Sequence, residues 1–163
     1  MLGDSFIGSS GDDVFDGGYG QDQIQGGFGS DTYVLGFDSD NDHVVELGDA
    51  ADTDRVRIKA GALPKDVSLV RQGDDLLIEL ENIGGVLTFD TMLIEGHFLG
   101  TETGIEEIVF DNGTVWDRTA IEDLARAGRF NAEDDVYLFG VEDEVAIIDP
   151  ATLLANDAEA GVE

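Results

Sequence analysis

Four aspartates stand nine residues apart, at Asp4, Asp13, Asp22 and Asp31. The last three each close a glycine-rich run: Gly8-Ser9-Ser10-Gly11-Asp12-Asp13, Gly17-Gly18-Tyr19-Gly20-Gln21-Asp22 and Gly26-Gly27-Phe28-Gly29-Ser30-Asp31. Glycine-rich runs turn tightly, using φ values closed to other residues. Such a turn aims backbone carbonyls inward, and its closing Asp adds a carboxylate. Carbonyl plus carboxylate oxygen is the ligand set of Ca²⁺, a hard cation that takes about 6–8 oxygens. The charge balance points the same way. The 163 residues carry 37 acidic and 8 basic side chains, a net charge of −29, and residues 1–54 hold 13 of the acids with no Lys or Arg. Carboxylates so concentrated repel one another. The segment is therefore either unfolded or held together by a cation that is not protein.

The nine-residue period also fixes the elements that must carry these oxygens. Two positions beyond each aspartate comes an apolar side chain: Phe6, Phe15, Ile24, Tyr33. The last three residues of each repeat make a short strand with that side chain turned inward. Two nonapeptides complete one turn of a parallel β-roll, with strands about 4.8 Å apart. Each loop then faces the loop two repeats away, and an ion between them draws on both. A flexible Gly-rich linker is the competing reading, and the in-register Asp and apolar positions argue against it.

These copies resemble the haemolysin-type RTX nonapeptide G-G-x-G-x-D-x-U-x. The copies at 17–25 and 26–34 match fully, Ser9 replaces the second Gly in 8–16, and the copy holding Asp4 and Phe6 is truncated. The resemblance implies that loop carbonyls and the sixth-position Asp are the calcium ligands. That assigns Gly8, Ser10, Gly11 and Asp13; Gly17, Gly18, Tyr19, Gly20 and Asp22; Gly26, Gly27, Gly29 and Asp31; and Asp4 of the truncated copy. Beyond Tyr33 the pattern changes to Leu35-Gly36-Phe37-Asp38-Ser39-Asp40-Asn41-Asp42-His43-Val44. Such a loop can face 17–22 and close a further ion site with Asp40 or Asp42. Asp38-x-Asp40-x-Asp42 also opens like an EF-hand loop, but His43 stands where that loop needs Gly. His43 reads as a surface or capping residue.

Residues 43–117 read as short strands: 43–47, 55–59, 67–72, 76–81, 86–92, 105–110 and 114–116. Arg55-Val56-Arg57-Ile58-Lys59 alternates as a half-buried strand whose basic face balances nearby acids. Gly73-Asp74-Asp75 and Asp111-Asn112-Gly113 are turn signals. Thr119-x-x-Glu122 reads as a capping box, Ala120–Ala127 as a short helix and Gly128 as its stop. A small β-sandwich here would cover the open end of the roll, as a solenoid requires. Leu63-Pro64-Lys65-Asp66-Val67, Gly73-Asp74-Asp75-Leu76-Leu77-Ile78 and the run Ile105–Trp116 are similar to the haemolysin-type calcium-binding-related domain that follows RTX blocks.

Residues 130–163 hold ten acids and no Lys or Arg. They resemble the opening of a cadherin-like repeat of large bacterial surface proteins, in Asp134-Asp135-Val136, Val141-Glu142-Asp143-Glu144 and Asp149–Asp157. So short a piece cannot make a sandwich alone. Asn156 and Asp157 are candidate ligands in a full-length domain, and Asp149-Pro150 invites a calcium-triggered self-cleavage reading, with a turn as the plainer one.

Several functions are excluded or disfavoured. The acidity excludes nucleic-acid binding and disfavours docking on anionic lipid. The absence of Cys removes disulfides, thiolate catalysis and Cys-based zinc sites. No membrane insertion is expected, since no apolar run reaches about 18–20 residues. His43 and His97 are too far apart for a zinc-protease motif, there is no Gly-x-Ser-x-Gly, and Gly3-Asp4-Ser5-Phe6 lacks the Asp-x-x-His of GDSL-type esterases.

The expectation is an all-β chain. Residues 1–42 form a short parallel β-roll of calcium-binding nonapeptide repeats. Residues 43–128 form a small antiparallel β-sandwich with one short helix that caps it, and residues 129–163 a linker or truncated cadherin-like start. The resemblance implies a non-enzymatic, calcium-dependent folding module of a secreted RTX protein. It implies an extracellular or cell-surface adhesin, exported by type I secretion through a signal outside these residues. The alternative is the RTX tail of a secreted hydrolase or toxin, and a third reading is a glycan- or partner-binding sandwich.

Overall fold

A computed structural model describes residues 2–48, 51–81 and 90–127. The tail 129–163, Gly128 and most of the strand expected at 86–92 lie outside the described residues. The described strands are β1 Ser5–Ile7, β2 Val14–Phe15, β3 Gln23–Gln25, β4 Thr32–Leu35, β5 Asn41–Val45, β6 Arg55–Ile58, β7 Val67–Gln72, β8 Asp75–Leu80, β9 Thr91–Glu95, β10 Glu107–Phe110 and β11 Val115–Asp117. One helix follows, α1 Arg118–Ala127.

The first six strands alternate between two sheets. One has the order β1-β3-β5-β9-β8-β7, the other β11-β10-β6-β4-β2. The first four strands of one sheet, β1, β3, β5 and β9, pair in parallel. So do β2, β4, β6 and β10 of the other. Antiparallel pairing is confined to β9-β8-β7 and β10-β11.

The apolar position of each strand faces the space between the sheets. Phe6, Ile24, Val44 and Ile94 stand in one register row. Phe15, Tyr33, Val56 and Ile108 form the other. All but the half-buried Phe6 are buried in one core. The Phe15 ring stacks on Tyr33 with centroids 5.6 Å apart. Each such side chain contributes about 1.5–3 kcal/mol when fully buried. Short strands of two to four residues are thus held by the stack rather than by their own length.

Three expectations need correction. The expected boundary at 42/43 falls inside β5, and the strands β5, β6, β9 and β10 extend both sheets in parallel rather than forming a separate antiparallel sandwich. The reason is that β3 and β4 would otherwise present open edges of unpaired N–H and C=O groups, and the next strands along the chain take them up. The helix begins at Arg118, before the expected Ala120, and Asp117 Oδ1 caps it by accepting the Ala120 N–H at 2.9 Å. Thr119 therefore lies inside the helix, and Glu122 pairs with Arg118 at 3.3 Å instead of closing a capping box. The strand expected to end at Met92 continues, as β9, to Glu95. The two turn signals sit where expected: Gly73 and Gly113, at φ +69° and +89°, join β7 to β8 and β10 to β11.

Candidate metal centre

The sequence puts a carboxylate immediately before most of the stacked strands, and parallel pairing lines these carboxylates up. On one side the row is Asp13, Asp31, Asp54, Glu106, and a hydrogen bond joins each to the next. Asp31 Oδ1 accepts the Asp13 N–H at 2.8 Å, Asp54 Oδ1 that of Asp31 at 2.7 Å, and Glu106 Oε2 that of Asp54 at 2.8 Å. On the other side the row is Asp4, Asp22, Asp42. Asp22 Oδ1 accepts the Asp4 N–H at 2.6 Å, and Asp42 Oδ1 accepts that of Asp22 at 3.1 Å. Met92, in register with Asp42, ends this row.

The loops stack as well. A side chain on Gly29, at φ +103°, would lie 2.6 Å from the Gly11 backbone, and one on Gly27 would lie 2.5 Å from the Ser9 carbonyl oxygen. One on Gly20 would lie 2.9 Å from the Leu2 carbonyl. The loops 8–13 and 26–31 are therefore in contact, as are 17–22 and the segment around Gly3. Only glycine permits this approach. The loop residues Gly8, Ser10, Gly11, Gly17, Gly18, Tyr19, Gly20, Gly26, Gly27 and Gly29 all fall in these two stacks. Of the pair Asp40 and Asp42, only Asp42 joins a row. Asp40 is exposed at φ +51° and donates its N–H to Asp90 Oδ1 at 3.0 Å. Asp38 pairs with Lys59, so the three acids of the EF-hand-like spacing do not converge.

The inner members of the rows are buried. Asp22 and Asp31 are fully buried, and Asp42, Asp54 and Glu46 nearly so. Burial pushes the Glu46 carboxyl up to about 9, with Asp54 and Asp31 adding repulsion. It lifts Asp42 to about 7, with Asp22 the nearest repelling charge, and Asp54 to about 6, where Glu106 and Asp31 repel. Asp31 is raised by the same cause. Asp13, half-buried, is lowered by the N–H and hydroxyl of Ser9. The Oδ2 atoms of Asp22, Asp31 and Asp42 are buried with no hydrogen-bond partner among the described residues. An unpaired buried carboxylate oxygen is costly and must be met by a proton or a cation. A hard, oxygen-seeking divalent ion fits these oxygens and the carbonyls of the touching loops.

Protein cations serve the margins. Lys59 Nζ lies 3.0 Å from Asp16 and 2.9 Å from Asp38, linking two successive loops. Arg118 holds Glu106 at 3.0 Å and donates to the carbonyls of Gly100 and Thr103 at 2.6 and 3.0 Å. Arg55 approaches Glu107 at 3.7 Å. His97 is fully buried, accepts the Ile105 N–H at 3.3 Å, and is pushed down to about 3 by burial and by Arg118. His43 sits on the sheet surface between Gln23 and Glu95, at 3.0 Å from each.

Sequence reasoning missed Glu46, Asp54 and Glu106. The signal for Asp54 and Glu106 was the triplet acid-x-apolar at strand starts: Asp54-Arg55-Val56 and Glu106-Glu107-Ile108 repeat Asp31-Thr32-Tyr33 outside the period of nine. Glu46 offers no such signal, since it follows a strand.

Residues 75–120 match the haemolysin-type calcium binding protein related domain. The stretch runs from β8 into the first turn of α1 and contributes Glu106 and Arg118 to the centre. No curated protein matches the chain. That similarity of residues 75–120 suggests calcium as the ion. Among the described residues no helix is long and apolar enough to cross a membrane.

Proposed function

We propose that this chain is a non-catalytic, calcium-dependent folding module of a secreted RTX protein. In this reading residues 1–42 are a parallel β-roll of calcium-binding repeats, and the strands after them cover its open end. The observation that carries it is the set of buried, unpartnered Oδ2 atoms on Asp22, Asp31 and Asp42, in rows of parallel register. Where calcium is scarce, repulsion within these rows opposes folding. Outside the cell, an ion that binds only the folded form stabilises it by mass action. The affinity expected of extracellular modules is about 10⁻⁴–10⁻³ M. A cadherin-like tail favours an adhesin exported by type I secretion as the parent. A hydrolase or toxin whose RTX tail this is stays the second reading, supported by the same repeats.

Counting bound calcium by equilibrium dialysis at millimolar CaCl₂ tests the proposal. About two to four ions per chain are expected. Less than one ion per chain refutes it.

A further inference from the structure

Glu46 lies outside every nonapeptide. It follows Val45, whose carbonyl accepts the Gly26 N–H at 3.3 Å, so it occupies the register position of a loop-opening glycine. A carboxylate here enters the space that Gly26 leaves free. A Cβ on Gly26 would collide with Glu46 Oε2 and the Tyr33 hydroxyl, and would lie 2.6 Å from Asp31 Oδ2. Asp31, Glu46 and Asp54 are all buried, and one oxygen from each lies within 4.8 Å of the others. Asp31 is fully buried, and its Oδ2, facing this space, has no hydrogen-bond partner among the described residues. Glu46 also borders a cleft of about 460 Å³ with Leu47, Asp75, Glu95 and Thr103.

We infer that Asp31, Glu46 and Asp54 form a distinct divalent-cation site, tighter than the repeat sites and the first to fill with calcium. The inference rests on the calcium reading above and names the ligands that two non-repeat residues add to it. Three carboxylates supply up to about six oxygens, and affinity in calcium sites rises with the number of charged ligands. The other row, Asp4, Asp22 and Asp42, ends at Met92 and brings no three carboxylates within 4.8 Å of one another among the described residues. An ion among Asp31, Glu46 and Asp54 ties the approach to β4, the exit from β5 and the approach to β6 together. It therefore fixes the register on which the remaining loops stack.

Calorimetric titration of the full chain with CaCl₂ tests this. Glu46→Gln keeps the side-chain shape and an acceptor for the Tyr33 hydroxyl, and Asp54→Asn keeps an acceptor for the Asp31 N–H. Each should weaken the first binding step at least about tenfold and remove one ion from the count. Asp12→Asn, at an exposed residue outside both rows, should leave the first step within about twofold. If the wild type binds calcium but Glu46→Gln and Asp54→Asn bind it identically, the site is overturned and the repeat sites stand. If the wild type binds none, the calcium reading fails as a whole. A measurement on near-native protein removes dependence on those variants folding. The first equivalent of Tb³⁺ should luminesce on tyrosine excitation, lose that emission in Tyr33→Phe and keep it in Tyr19→Phe. Unchanged emission in Tyr33→Phe overturns the site.

Discussion

Acid should partly replace calcium. In metal-free protein, Glu46, Asp42 and Asp54 have folded pKa values of about 9, 7 and 6, against ordinary values of 4.5, 3.8 and 3.8. A carboxyl raised in this way favours the fold fully below its unfolded value and loses that contribution as pH rises through its folded value. His97 works in the opposite sense. Its folded value of about 3 lies below the ordinary 6.5, so its stabilising contribution is lost as pH falls. Taken from about pH 7.5 to about pH 5, Asp42 and Asp54 add about 4 kcal/mol, Glu46 about 3, and His97 removes about 2. Protonating one carboxyl relieves its neighbour, so the coupled sum is smaller, about 2–4 kcal/mol. That corresponds to a rise in Tm of about 5–15 °C. Urea and thermal melts in a chelator, followed by far-UV circular dichroism at both pH values, measure it. Glu46→Gln should remove about a third to a half of the rise, which separates this cluster from the general relief of surface repulsion. A midpoint that is flat or falls on acidification refutes the reasoning.

Two further perturbations probe the rows and their margins. Asp22→Ala removes the acceptor of the Asp4 N–H and a buried oxygen of the stack, whereas exposed Asp12 lies outside the rows and accepts the Ser30 N–H at 2.9 Å. The calcium midpoint for folding should rise at least about tenfold in Asp22→Ala and stay within about twofold in Asp12→Ala, and equal shifts would contradict the register. Arg118→Ala leaves Glu106 without its counter-charge and frees the carbonyls of His97, Gly100 and Thr103. It should cost about 3 kcal/mol by denaturant melt in saturating calcium, and a loss under about 0.5 kcal/mol would show that Arg118 is not a structural counter-ion.

The parts of the fold legible in the sequence were those governed by a short period. Asp at the sixth position and Phe15, Ile24 and Tyr33 at the eighth recur every nine residues, and they end up in rows because parallel strands two repeats apart align equal positions. The β10–β11 turn was legible because Gly113 satisfies a local backbone demand, φ +89°. The direction of the middle strands was not. Alternation in Arg55–Lys59 tells which side chains are buried, but not that Val56 will stand beside Tyr33 and Ile108 in a parallel stack. Asp54 and Glu106 escaped because the loops before them are longer than six residues, which breaks the period while preserving the acid-x-apolar step. The helix cap was misjudged because Asp117 and Thr119 are both good caps, and only the position of the preceding strand chooses between them.

In the proposed function, calcium folds the acidic head. Far-UV circular dichroism of the chelated full chain during CaCl₂ addition at neutral pH tests it most directly, with Trp116 fluorescence read in parallel. A saturable gain of β signal is expected, complete by about a few millimolar calcium, reversed by chelator and poorly reproduced by Mg²⁺, which demands near-ideal octahedral geometry. A spectrum that does not change up to that concentration contradicts it.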